Sequence, residues 1–249
     1  MLVLSSYAQK RQVNNLTTFD DKRLHFGFTL GINSLDFHIE NWPQVGLNPA
    51  GFSSEVIDGV TVNGDQQIRA DVKKLIPGFT VGMVSNLRLS EYFDLRFLPG
   101  MSFGERRLVY NIPIDDANEN EVLDFYSIKS TLIELPLLVK YKSQRLNNLR
   151  PYVVVGASYK HDISKTGKND LVRLKPGSFY FEAGMGLDTY LQFFRLSTEL
   201  KICIGMNNAL GDPPIINPNS TSGSRQKLVY YTAISKLTSN IFILSFHFE

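Results

Sequence analysis

Three glutamates on predicted strands, Glu134, Glu182 and Glu199, are the residues of this sequence that could most readily carry out chemistry. Two carboxylates brought together in a fold can act as a general acid and a general base. The same predicted strand faces also carry lysine and arginine, and carboxylates balanced by nearby bases are the commoner arrangement. We therefore expect no catalytic residue and interpret the protein as non-enzymatic.

Residues that commonly hold metals or cofactors lack the required spacing. The four histidines, His25, His38, His161 and His247, do not follow a metal-ligand pattern. The sequence also has no G-x-S-x-G elbow, P-loop or C-x-x-C pair. The acidic run Asp115–Glu121 could bind calcium, although a solvated loop tip is the simpler interpretation. We expect no metal and no cofactor.

Charged residues of both signs recur on one face of the predicted strands. If that face lines an interior, each charge needs a partner, because an isolated buried charge costs several kcal/mol. The pattern predicts a structural network of salt bridges, with a proton or ion path as the alternative. Its members are Asp94, Arg96, Glu134, Lys140, Glu182, Asp188, Arg195, Glu199 and Lys201.

Eight segments are predicted as alternating strands, and the third, fourth, sixth and seventh of them carry these charges. In the first, Phe26, Phe28, Leu30 and Ile32 alternate with small or polar residues, which is typical of a strand with two different faces. A bulge or bend is expected at Pro136, because proline cannot donate a ladder hydrogen bond. The predicted strands are Leu24–Ile39, Gly78–Leu89, a strand from Tyr92 onward, Val122–Lys142, Pro151–Asp162, Gly177–Tyr190, Phe193–Ile204 and Asn240–Phe248.

The connections between these strands are alternately short and long. Long ones follow the first, third, fifth and seventh strands, at about Glu40–Pro77, Arg106–Val122, Ser164–Pro176 and Gly205–Ser239. This alternation is typical of an outer-membrane barrel with short periplasmic turns and long extracellular loops. We predict an all-β fold: an eight-stranded antiparallel transmembrane β-barrel in the outer membrane of a Gram-negative bacterium, with both chain termini in the periplasm.

Bulk properties are consistent with one barrel domain. The chain has 249 residues, a net charge of +2 and a single cysteine, Cys203, so nucleic-acid binding and an intramolecular disulfide are not expected. Residues 1–8 are interpreted as a signal-peptide remnant, 9–23 as a periplasmic segment and 24–249 as the barrel. Within that segment, Asp20, Asp21, Lys22 and Arg23 are candidate contacts to a partner protein, or alternatively a solvated flank.

Four stretches of the chain carry a family resemblance: Asn15–Phe37 (NLTTFDDKRLHFGFTLGINSLDF), Glu134–Ser164, Glu199–Asn208 (ELKICIGMNN) and Leu244–Glu249 (LSFHFE). Their order and spacing resemble the PorT proteins of the type IX secretion system. The resemblance implies an outer-membrane barrel that supports export of cargo proteins and, in gliding bacteria, delivery of surface adhesins. It also implies contacts with other subunits of that system and with outer-membrane lipid.

Eight strands leave no room for a passing polypeptide, so we expect an accessory subunit that acts through its surfaces. Two other functions remain open. An outer-membrane lipid-modifying enzyme would need a reactive site near the barrel rim. A ligand-binding barrel of the lipocalin type would need an apolar interior and a polar exterior, the reverse of the pattern in this sequence.

Overall fold

A computed structural model describes residues 14–57, 60–111, 114–115, 122–123, 125–164, 172–212 and 229–249. The proposed signal remnant, 1–8, and the start of the 9–23 segment lie outside these ranges. Most of the acidic run at 115–121 lies outside them as well. No helix within the described part of the chain is long and apolar enough to cross a membrane.

The strands form a closed antiparallel ring of eight, which confirms the predicted fold class. β6 and β7 follow each other along β10 and count as one strand of the ring. β4 and β5 likewise both pair with β7 and count as one strand. The ring closes where β1 pairs with both β14 and β5. The strands are β1 (Leu24–Asn41), β2 (Ser54–Ile57), β3 (Val60–Asn63), β4 (Ala70–Leu75), β5 (Pro77–Arg88), β6 (Phe93–Phe97), β7 (Gly100–Tyr110), β8 (Ile114–Asp115), β9 (Val122–Leu123), β10 (Tyr126–Lys142), β11 (Leu149–Asp162), β12 (Gly177–Tyr190), β13 (Arg195–Gly205) and β14 (Ile234–Phe248).

The structure has no β-bulge at Pro136, so that part of the prediction is wrong. Pro136 pairs with Ser158 in an unbroken register along the whole β10–β11 ladder. On its other side, the Pro136 carbonyl accepts a hydrogen bond from Leu98 N at 3.2 Å. The missing donor of Pro136 therefore faces the β6–β7 junction, where Pro99 already interrupts the strand. The register is also continuous on that side, from the Glu134–Gly100 pair to the Leu137–Phe97 pair, so the missing hydrogen bond causes no shift.

The outer wall carries a band of exposed apolar side chains. On β1 the band consists of alternate residues from Leu24 to Ile32, and the same face then turns polar at Ser34, Asp36 and His38. A band of this height matches the 9–11 residues with which a tilted strand crosses a bilayer. The part of each long strand nearest the long connections therefore extends beyond the band. We call this end of the barrel the loop end, and the opposite end, with the short turns, the turn end.

The interior is filled along its length. Charged and polar side chains occupy the middle, whereas an apolar cluster that includes Phe37, Leu108 and Tyr230 occupies the loop end. Residues 229–232 are helical and contribute to this cluster, and β14 begins at Ile234 rather than at Asn240. Part of the predicted loop Gly205–Ser239 is therefore barrel core. The cause is its apolar content, which strand periodicity alone does not reveal.

Candidate functional site

All nine charges of the predicted network point into the barrel, and none is more than 5% exposed. Strand pleating explains this placement, since alternate residues of a strand face the same side. The opposite face of each strand supplies the apolar outer wall. The structure brings the nine residues together into ion-paired groups, which lie one above another along the barrel axis.

The group nearest the loop end centres on Glu182 of β12. Its carboxylate lies 2.7 Å from Lys201 Nζ and 3.1 Å from Lys160 Nζ, and it accepts a hydrogen bond of 2.6 Å from Ser158 Oγ. Lys160 also lies 2.8 Å from Glu134 Oε1. Two carboxylates and two ammonium groups thus balance each other inside the wall.

The middle group centres on Glu199 of β13. One of its oxygens, Oε2, accepts hydrogen bonds from Arg96 at 2.8 Å and from Tyr152 Oη at 3.0 Å. The Nε2 atom of His247 lies 3.6 Å from the same oxygen. Because these side chains come from different strands, the group also ties opposite parts of the wall together.

Two further groups lie toward the turn end. Asp188 binds Lys140 Nζ at 2.6 Å and the Ser197 hydroxyl at 2.6 Å, and Arg195 NH1 lies 3.8 Å away. In the second group, Asp94 binds Lys142 Nζ at 2.6 Å. Every carboxylate of the predicted network therefore has at least one basic partner.

Several members of the interior were missed from sequence. Lys142 has the same strand parity as Glu134 and Lys140 on β10, so parity alone could have identified it. Arg106 likewise continues the parity of Asp94 and Arg96 along the predicted third strand. Lys160 and Tyr152 share the inward face of β11, a strand to which no face was assigned. Arg150, on the same face, bonds to a residue outside the barrel strands, which no periodicity could reveal.

That residue is Asp20, one of the four candidate partner contacts. Its carboxylate lies 3.2 Å from Arg150 NH1 and accepts a hydrogen bond of 3.0 Å from Tyr190 Oη. Beside it, the ring of Phe19 stacks on His25 at a centroid distance of 4.1 Å. The segment before β1 therefore folds across the turn end of the barrel and closes it.

The other three candidates, Asp21, Lys22 and Arg23, are exposed. Arg23 is tied to the barrel through its backbone, since its carbonyl accepts a hydrogen bond of 2.8 Å from Arg88 N. The structure therefore divides the predicted contact set: Asp20 is an internal cap, and its three neighbours form a free surface. Their role as partner contacts stays a prediction.

Within the described residues, no cluster of three or more His, Cys, Asp or Glu side chains could hold a metal ion. The three glutamates considered for catalysis, Glu134, Glu182 and Glu199, are each bound to bases. The arrangement neutralises buried charge and cross-links strands. Such a network stabilises one register of the wall, because every partner comes from a particular position on another strand.

Comparisons with known proteins found similar solved structures and a matching protein family. At 12% identity, the structure is similar to the outer membrane protein OprG of Pseudomonas aeruginosa, with 91% of this chain and 94% of that chain covered and a TM-score of 0.45. It is also similar to Ail, the attachment invasion locus protein of Yersinia pestis, at 7% identity, with 91% and 98% covered and a TM-score of 0.34. Among curated protein sequences, none matches this chain. The family described as "Outer membrane protein beta-barrel domain" matches residues 7–211, and the chain belongs to that family.

Proposed function

We propose that this protein is a non-enzymatic accessory barrel of the type IX secretion system, which supports cargo export through protein–protein contacts. The turn end, with both barrel termini, lies in the periplasm, and the loop end lies outside the cell. The observation that carries the proposal is an interior closed along its whole length. Ion pairs fill the middle, the Asp20 segment covers one end, and the apolar cluster fills the other.

Because the interior is filled, we infer that the protein acts through its surfaces and does not conduct the cargo. A polypeptide could pass only if the buried ion pairs separated, and each broken pair would leave an uncompensated charge in the wall. The resemblance of Asn15–Phe37 and Glu134–Ser164 to PorT proteins supplies the link to secretion. It covers both the Asp20 segment and the β10–β11 hairpin, which meet at the turn end.

The two alternative functions have less support. A ligand-binding barrel with a polar exterior disagrees with the exposed apolar side chains of the outer wall, such as Phe26 and Met185. A lipid-modifying enzyme would need an available nucleophile or base. The inward carboxylates of the network are each engaged in an ion pair with a lysine or arginine. A change in lipid A mass on deletion of the protein would nevertheless support the enzyme.

Export in a deletion strain tests the proposal. Without the protein, cargo should accumulate in the periplasm, and the wild-type gene should restore its appearance in the medium. Export at the wild-type level in the deletion strain would contradict a role in secretion. Cross-linking in intact cells followed by mass spectrometry should recover other secretion subunits with the barrel.

A surface variant tests how the protein acts. The triple variant Asp21→Ala, Lys22→Ala, Arg23→Ala removes exposed side chains at the turn end. The matched control, Asp65→Ala with Arg69→Ala, removes exposed charges at the loop end. We expect the triple variant to reach the outer membrane as a folded barrel but to lose export. Normal export from it would place the partner surface elsewhere.

A further inference from the structure

One buried cation near the loop end has no carboxylate partner among the described residues. Arg106 of β7 is 2% exposed and stacks over the ring of Phe37, 4.2 Å from its centroid. Its terminal nitrogens donate hydrogen bonds to Ser130 Oγ at 2.9 Å and to Ser239 Oγ at 2.6 Å, whereas Nε has no partner.

Every other buried lysine and arginine in the described ranges pairs with a carboxylate. An uncompensated charge is costly inside a protein, and two hydroxyl groups do not neutralise it. The surroundings of Arg106 are therefore electrostatically incomplete, and an anion would complete them.

A cleft of about 300 Å³ opens at the same end of the barrel, lined by Asp162, Ser164, Arg173, Lys175 and Asp212 among others. A narrower cavity of about 20 Å³, lined by Arg106 and Lys160, lies beneath it. The cleft and the cavity share four lining residues, Asp162, Leu174, Lys175 and Pro176. Arg106 thus lies at the floor of an opening that leads outward past Lys175.

The walls of the cleft are held by backbone hydrogen bonds. Arg173 O accepts a hydrogen bond from Gly211 N at 2.7 Å, and Lys175 N donates one to Ala209 O at 2.8 Å. Between them, Leu174 and Leu210 form an antiparallel bridge. These bonds fix the two cationic residues of the rim relative to each other.

The two acidic residues of the cleft do not cancel its positive charge. The Asp162 carboxylate is engaged locally, since it accepts hydrogen bonds from Ser164 N at 2.9 Å and Thr131 N at 3.3 Å. Lys160 is already held by Glu134 and Glu182. Hydrogen bonds from neutral N–H groups leave the charge of Asp162 in place, so Arg106, Arg173 and Lys175 stand against Asp162 and Asp212, a formal excess of one positive charge.

We propose that this cleft binds an anionic phosphate group. Arg173 and Lys175 would contact the phosphate at the rim, and Arg106 would attract it from the floor, because guanidinium groups suit phosphate oxygens. Pro176 of the cleft directly precedes β12, whose first exposed apolar residue on the outer wall is Phe179. A phosphate at this height can come from a lipid headgroup or from a soluble solute.

Thermal unfolding of the whole protein in an uncharged detergent tests the site. The probes are inorganic phosphate, dihexanoyl phosphatidic acid and dihexanoyl phosphatidylcholine, each titrated at constant ionic strength with chloride. A ligand of the folded state raises the unfolding midpoint in a saturable way. We expect saturable stabilisation by at least one of the first two probes and no comparable effect of phosphatidylcholine.

The variant Arg173→Gln with Lys175→Gln should weaken this binding at least tenfold, and the exposed control Arg69→Gln should leave it unchanged. Stabilisation by inorganic phosphate indicates a site for soluble phosphates, whereas a response to phosphatidic acid alone indicates a lipid headgroup. No saturable response to either probe would overturn the proposal. So would equal affinity in the double variant, or an equal response to phosphatidylcholine.

Discussion

Substitution of Glu182 is the most informative test of the buried network, because it leaves Lys201 without a carboxylate partner among the described residues. The side chain is fully buried, and its carboxylate is the only one paired with Lys201 among the described residues. Glu182→Gln keeps the shape but removes the charge. Breaking a buried pair on one side costs about 3–5 kcal/mol, so we expect a loss of that size in the free energy of unfolding.

Glu134→Gln is the matched control. It also removes one buried carboxylate, but Lys160 keeps its second partner, Glu182, at 3.1 Å. No base is left without a carboxylate, and the amide oxygen can still accept a hydrogen bond. We expect a loss below about 1.5 kcal/mol, the net worth of an ordinary hydrogen bond.

The assay is equilibrium unfolding by urea in lipid vesicles, followed by circular dichroism and by the heat-dependent shift of the folded barrel on gels. A double variant, Glu182→Gln with Lys201→Met, should recover most of the loss, because removal of both partners leaves no unpaired charge. Equal losses for Glu182→Gln and Glu134→Gln, or an additive loss in the double variant, would refute this account of the network.

Other predictions concern the outer wall, the interior and placement in the cell. Leu30→Arg and Met185→Arg, both on exposed apolar positions, should each cost about 2–4 kcal/mol near the bilayer midplane. His38→Arg, beyond the apolar band on the same face as Leu30, should be nearly neutral; equal effects would contradict the band assignment. Planar-bilayer recordings of the purified protein should show no stable large openings, and reproducible porin-sized conductance would contradict the closed interior. The protein should fractionate with the outer membrane and migrate differently on gels after heating, and recovery in the soluble fraction without detergent would contradict its placement.

Much of the barrel could be predicted because strand structure has a simple period. Alternation placed the nine network charges on one face and the apolar row from Phe26 to Ile32 on the other. The predicted bounds of the sixth strand coincide with those of β12, Gly177–Tyr190. The last strand was predicted to begin at Asn240, six residues after the start of β14 at Ile234. In these six residues apolar and polar side chains do not alternate clearly, so the sequence does not distinguish them from a loop.

The partners within the network could not be predicted. Arg96 and Glu199 bond directly although 103 positions separate them in the chain. Their meeting depends on the stagger of strands around the closed ring, and this stagger is a property of the whole barrel. The sequence also did not indicate that Asp20 turns back to Arg150, whereas Lys22 and Arg23 stay exposed.

The amino-acid sequence by itself determined which residues face the lipid and which face the interior, because a period of two follows directly from the geometry of a single strand. Only the tertiary structure decided what each inward residue meets. Glu182 finds Lys201 and Lys160 because three strands bring these positions to one level. Arg106 reaches the same end of the barrel without a carboxylate partner among the described residues. The physical reason is that the distance between inward side chains on different strands depends on the stagger of the strands around the closed ring. The periodicity of a single strand does not specify that stagger.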